Sequence, residues 1–119
     1  MEHFVYDISS LKVAVDELCT FLAGRGVAQE RVFDSRLVAN ELLGNVLKHA
    51  KATANFTYLI EDGHVHITVR SSVAVTPPKT SVCSDVLAEH GRGLFLVDSV
   101  SVERTITENG GVLVKIKMQ

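Results

Sequence analysis

Just before residue 54 the apolar residues of this chain change their spacing, from the helical period of about 3.6 to the strand period of 2. That change constrains the fold more than any other feature. Ahead of it, His3 to Ile8 alternates weakly and reads as a short edge strand. Ser9 and Ser10 are N-cap candidates, after which Leu11, Ala14, Val15, Leu18 and Leu22 share one helical face. Gly24 and Gly26 end that helix. Ala28 to Ala50 reads as a second, longer helix, or as a turn of helix leading into one, with no proline to interrupt it.

Past the change, Ala54, Phe56, Tyr58 and Ile60 alternate with Asn55, Thr57, Leu59 and Glu61. Asp62-Gly63 is a tight-hairpin signal, and the return strand sets Val65, Ile67 and Val69 against His64, His66, Thr68 and Arg70. Two histidines two residues apart suit a metal, but no third ligand accompanies them, so the solvated sheet face is the expected reading. Ser71 to Asp85 holds both prolines and no clear period, which marks a loop, and a short amphipathic turn follows at Asp85 to Glu89. Leu94 to Val100 reads as a short buried helix. Val102 to Thr107 and Val112 to Met118 then form a second hairpin across Asn109-Gly110-Gly111. The order strand, two helices, hairpin, loop, helix, hairpin predicts an α+β two-layer sandwich, with a mainly antiparallel mixed sheet and helices on one face.

Length and charge narrow the classes of function. The chain has 119 residues, enough for one core and one domain. Its formal net charge of -2 leaves no basic excess to neutralise phosphates, which argues against a nucleic-acid binder. No run of about 20 apolar residues is present to span a membrane, and the start lacks the regions of a signal peptide. Cys19 and Cys83 lie outside any C-x-x-C spacing and read as two reduced thiols, so a cytoplasmic protein is expected.

The chemistry-bearing residues concentrate in two places. On the second helix Ala39, Leu42, Leu43, Val46, Leu47 and Ala50 form an apolar stripe, while Glu41, Asn45, Lys48 and His49 gather on the other side. Gly44 sits among them in mid-helix, where glycine costs about 1 kcal/mol relative to alanine and is tolerated for close packing or a passing ligand. The second place is His90-Gly91-Arg92-Gly93-Leu94, a G-x-G opening a helix. Glycines let backbone N–H groups approach an anion and the helix dipole attracts it, although many such turns only cap a helix. The polar helix face, taken alone, is equally compatible with solvated charges.

Together the two stretches resemble a known family. E-L-L-G-N-V-L-K-H-A is similar to the N-box of the GHKL superfamily of ATPases and kinases, and G-R-G-L-F-L-V resembles its G2 box. The order and layout match over essentially the whole chain, which implies the Bergerat, or histidine-kinase-like ATPase, fold. The short length is most similar to the small anti-sigma-factor serine-protein kinases; sensor histidine kinases are the nearest other group. The resemblance implies ATP or ADP and Mg²⁺ as ligands. Asn45 would hold Mg²⁺ through its side-chain oxygen, and Glu41 would be the general base. Lys48 and His49 would pair with phosphate oxygens, and the turn Gly91-Arg92-Gly93-Leu94 would close on the phosphates. It also implies regulatory protein partners, namely a sigma factor and an antagonist with a phosphorylatable serine, and a homodimer.

One departure divides the functional expectation. The family's G1 box, D-x-G-x-G, carries an aspartate that accepts the adenine amino group's hydrogen bond. Here its place reads Arg70-Ser71-Ser72-Val73-Ala74-Val75, without aspartate or glycine. A serine hydroxyl is a weaker, uncharged acceptor. Losing a charge-assisted bond costs about 1.5–3 kcal/mol, equivalent to roughly 10- to 100-fold in affinity. Two readings therefore stand side by side: an active serine kinase that switches partners, and a non-catalytic protein-binding module with weakened or lost nucleotide binding. A third, that only the fold is shared and the polar face is solvated, is the bland alternative.

Overall fold

The computed structural model describes residues 2–50, 52–72, 97–106 and 111–119, with the side chains of His49 and Ala50 outside the described set. The loop expected at 71–85, the turn at 85–89 and the residues of the second hairpin turn before Gly111 lie outside it beyond residue 72.

The edge strand β1 spans Glu2–Val5, shorter at its C-terminal end than the expected 3–8, because the first helix starts sooner. Helix α1 (Ile8–Gly24) is capped by Asp7, and neither Ser9 nor Ser10 is its N-cap. The Asp7 carboxylate accepts the Ser10 N–H at 2.7 Å, and the Ser10 hydroxyl accepts the Asp7 N–H at 3.0 Å. This reciprocal box satisfies two helix-end donors and places a negative charge at the positive end of the helix dipole. The N–H of Ser10, and then its hydroxyl, hold the Asp7 carboxyl below its ordinary pKa. At the other end Val27 N–H donates to Leu22 O at 3.1 Å and Gly26 N–H to Ala23 O at 3.3 Å. That double closure needs a left-handed residue, and Gly26 supplies it at φ 78°.

Helix α2 runs from Gln29 to Asn45, and its N-terminus is tied to the last strand by Ala28 N–H donating to Met118 O at 2.9 Å. The α-helix expected to continue to Ala50 does not. Val46–Ala50 winds as a π-helical turn, which breaks the 3.6-residue phase from Val46 onward. Ser35, Val38, Ala39, Leu42 and Leu43 form the buried face of α2; Val46 and Leu47 are only half-buried.

Strands β2 (Ala54–Glu61) and β3 (His64–Ser71) form the expected hairpin. Asp62 at φ 53° and Gly63 at φ 73° make its two-residue turn, the left-handed pair that matches strand twist. Residues 97–100 are helical, the described part of the expected 94–100 helix, with Val97 fully buried. Strands β4 (Glu103–Ile106) and β5 (Val112–Lys117) follow, inside the expected 102–107 and 112–118. The sheet order is β1-β2-β3-β5-β4, and every pairing among the described strands is antiparallel.

Both helices cover one face of this sheet. Val5, Phe56, Tyr58, Ile67, Val114 and Ile116 point into the core, and His64, His66, Thr68 and Arg70 take the opposite face. A side-chain link also crosses the layers: the buried Tyr58 hydroxyl lies 3.0 Å from His3 Nε2, which lies 3.3 Å from Glu17 on α1. Burial pushes the Tyr58 hydroxyl's pKa up. Cys19 is a free, half-buried thiol whose pKa burial also raises; Cys83 lies outside the described residues. Among the described residues no helix is long and apolar enough to cross a membrane.

Leu43 is fully buried between the layers, so Leu43→Ala is expected to lower unfolding free energy by about 2–5 kcal/mol in urea titrations. Asp7, with its depressed pKa, contributes stability that is present above its unfolded pKa and lost as pH falls through the folded one. Asp7→Asn should therefore flatten the acid limb of a plot of thermal midpoint against pH, while Lys12→Gln on the same helix leaves that limb in place.

Candidate functional site

The packing of α2 decides which of its residues remain available. With Val38, Ala39, Leu42 and Leu43 turned into the core, Glu41 and Asn45 are left half-exposed on its flank. Four residues apart on a regular α-helix, they stack about 6 Å apart along the axis. Among the described residues neither side chain has a hydrogen-bond or ion-pair partner. A carboxylate and an amide oxygen one above the other, uncommitted and in reach of solvent, suit a hard cation and a proton transfer. Gly44 lies between them, and a Cβ there would meet no atom of the described residues within 4 Å, so packing among them does not explain the glycine.

Lys48 is placed differently. It sits on the π-turn and is exposed. With Tyr6, Asp7, Ile8, Leu47, Ala52, Thr53 and Ser72 it lines an open groove of about 760 Å³, and neither Glu41 nor Asn45 lines that groove. The more residues a turn contains, the less each one advances around the axis, so Lys48 no longer follows the Glu41 stripe as it would in an α-helix. The structure thus brings Glu41 and Asn45 together and sets Lys48 beside the end of β3. The His49 side chain and Gly91, Arg92, Gly93 and Leu94 lie outside the described residues.

The groove also contains features that sequence reasoning missed. Ser72 N–H donates to Thr53 O at 2.8 Å, and Thr53 N–H donates to Ser72 Oγ at 3.1 Å. This clasp joins the end of β3 to the segment that follows the π-turn. The signal for it was available: a two-residue turn at Asp62-Gly63 pairs Glu61 with His64, so Ala54 must pair with Ser71 and Thr53 must meet Ser72. Asp7 reaches the groove because the chain turns from β1 into α1 there, and its carboxylate is held by Ser10. Among the described residues no group of three His, Cys, Asp or Glu side chains could hold a metal.

The fold is an α+β sandwich that carries Glu41 and Asn45 on a covering helix, both without a partner among the described residues. A model of the histidine kinase-like ATPase domain family matches residues 4–118, and the chain belongs to that family. Domains of this family bind ATP, usually with Mg²⁺. No curated protein matches the chain.

The described residues fit such a ligand unevenly. Where the resemblance would put the phosphates, Asn45 offers an oxygen without a partner among the described residues, suited to a hard cation, and Glu41 a carboxylate beside it. Where the resemblance would put the base, the end of β3 carries Ser71 and Ser72 in place of an aspartate, and the Ser72 oxygen already accepts a bond from Thr53. Because Glu41 and Asn45 support nothing else among the described residues, Glu41→Ala and Asn45→Ala should leave unfolding free energy within about 0.5 kcal/mol of the parent in urea titrations. Any change in ligand binding then reports on the site itself.

Proposed function

We propose that this chain is an ATP-binding regulatory domain of the anti-sigma-factor serine-kinase type. It would use Mg-ATP to phosphorylate a serine on a small antagonist protein, and would exchange that antagonist for a sigma factor with nucleotide state, as a homodimer in the cytoplasm. The single observation that carries the reading is the Glu41–Asn45 pair. Both residues sit half-exposed on α2 without a partner among the described residues, in a chain the family model matches nearly end to end.

In that role Asn45 would hold Mg²⁺ through its amide oxygen, and the cation would neutralise charge on the phosphates. Glu41, one turn away, would take the proton from the serine hydroxyl as its oxygen attacks the terminal phosphorus, whose bond to the bridging oxygen would break to release ADP. Phosphoryl transfer asks a protein mainly for position and charge compensation, and a rigid helix seated on a sheet supplies the first. Lys48, His49 and the turn at Gly91, Arg92, Gly93 and Leu94 are proposed to add further phosphate contacts.

The clasped serine at the end of β3 favours a second reading, a non-catalytic partner-binding module on the same scaffold with weakened or lost nucleotide binding. Titration calorimetry with Mg-ADP and Mg-ATP separates the two. The kinase reading expects saturable heat, lost or weakened at least tenfold in Asn45→Ala, and binding kept in Glu41→Ala with phosphate transfer abolished. Absence of heat at high micromolar nucleotide, with partner capture unchanged in both variants, would overturn it in favour of the module.

A further inference from the structure

We infer that His3, Tyr58 and Glu17 form a proton-operated latch, which ties the edge strand β1 to the sandwich and tightens as pH falls. Nothing in it depends on the nucleotide reading above. Strand β1 is four residues long, stands at the edge of the sheet and pairs with β2 alone among the described strands. An edge strand has half the ladder of an inner one, so its side chains decide how firmly it is held. Val5 is its apolar anchor, fully buried, and His3 is its polar one. His3 Nε2 lies 3.0 Å from the Tyr58 hydroxyl on β2 and 3.3 Å from a Glu17 carboxylate oxygen on α1. Both partners therefore meet the same nitrogen.

A neutral imidazole carries a proton on one nitrogen and a lone pair on the other. Tyr58 serves Nε2 either way, because a hydroxyl both donates and accepts, whereas a carboxylate only accepts. Glu17 is thus bonded in one neutral tautomer and faces a lone pair in the other. The protonated ring has an N–H at both nitrogens, so the bond to Glu17 is always available and is charge-assisted. A second attraction acts in the same direction. The ring stacks on Tyr58 and Phe56, with centroids 5.5 and 6.1 Å away, and an aromatic face attracts a cation. Burial acts against the charge, for the His3 side chain is 16% exposed, but Glu17 reaches it from an exposed position. The titratable groups facing the ring are Tyr58 from β2 and Glu17 from α1. Glu2, on β1 itself, is exposed on the other face of the sheet, and Arg25 lies over the neighbouring Phe21 ring at 4.9 Å. Burial, and then the Glu17 charge, push the pKa of Tyr58 up, so its hydroxyl stays protonated throughout.

Backbone amide hydrogen exchange of the full chain, followed by NMR at pH 5.5 and pH 8, tests the latch. Rates are converted to protection factors, with the β5 amides as internal reference. The expected result is β1 protection roughly two- to fivefold higher at pH 5.5, the size of an ion pair with an exposed carboxylate. That difference should vanish in His3→Gln and in Glu17→Gln, and persist in His66→Gln, whose histidine lies on the opposite sheet face. Glu17 is exposed, so Glu17→Gln keeps the fold and decides the matter if His3→Gln does not fold. Equal β1 protection at both pH values in the parent chain, or a difference that survives Glu17→Gln, overturns the inference.

Discussion

The seating of α2 on strands β3 and β5 is the contact on which the rest of the molecule depends. Its buried stripe of Val38, Ala39, Leu42 and Leu43 meets the core side of the sheet, where Ile67, Val69, Val114 and Ile116 lie. Burial of side chains of this size contributes roughly 1.5–3 kcal/mol each, so the stripe fixes the rotation of the helix about its axis far more firmly than any polar contact. Once that rotation is set, Glu41 and Asn45 have no choice of direction. The position of Glu41 and Asn45 is in this sense a by-product of packing: they sit on the flank of a helix that cannot turn.

The π-turn after Asn45 has the opposite consequence. It ends the fixed phase where the polar stretch continues, and it carries Lys48 toward the clasp between Thr53 and Ser72. The N-terminal half of the polar face is thus set by α2, and the C-terminal half by how the chain re-enters the sheet at β2. The two halves meet different surroundings: half-exposed side chains at Glu41 and Asn45 without a partner among the described residues, and a hydrogen-bonded strand end at Ser72.

Most of this was legible in the sequence, for identifiable reasons. The period of 2 and the Asp62-Gly63 pair located β2 to the residue and fixed its register with β3, because a two-residue turn leaves no freedom of register; only Ser71, expected to open the loop, instead ends β3 by pairing with Ala54. The apolar spacing found α1 and α2 and the face of each that is buried. The N-cap was misplaced because two serines drew the eye from Asp7, which also carries a charge suited to the dipole. The π-turn was not legible at all: V-L-K-H-A keeps helical spacing, and one extra residue per turn leaves no compositional trace. That omission is what placed Lys48 on the Glu41 stripe. Of the candidate site, the pair on α2 could be read from spacing alone, whereas the Thr53–Ser72 clasp needed the hairpin register carried past the end of the strand.

The central claim is that the flank of α2 at Glu41 and Asn45 receives a Mg²⁺-bound nucleotide. Side-chain and backbone amide NMR during titration with ADP, with and without Mg²⁺, tests it most directly. The account predicts Mg²⁺-dependent shifts in the Asn45 side-chain amide and in the backbone from Glu41 to Asn45, saturating together. Shifts absent from that turn at saturating nucleotide, or identical with and without Mg²⁺, would contradict it.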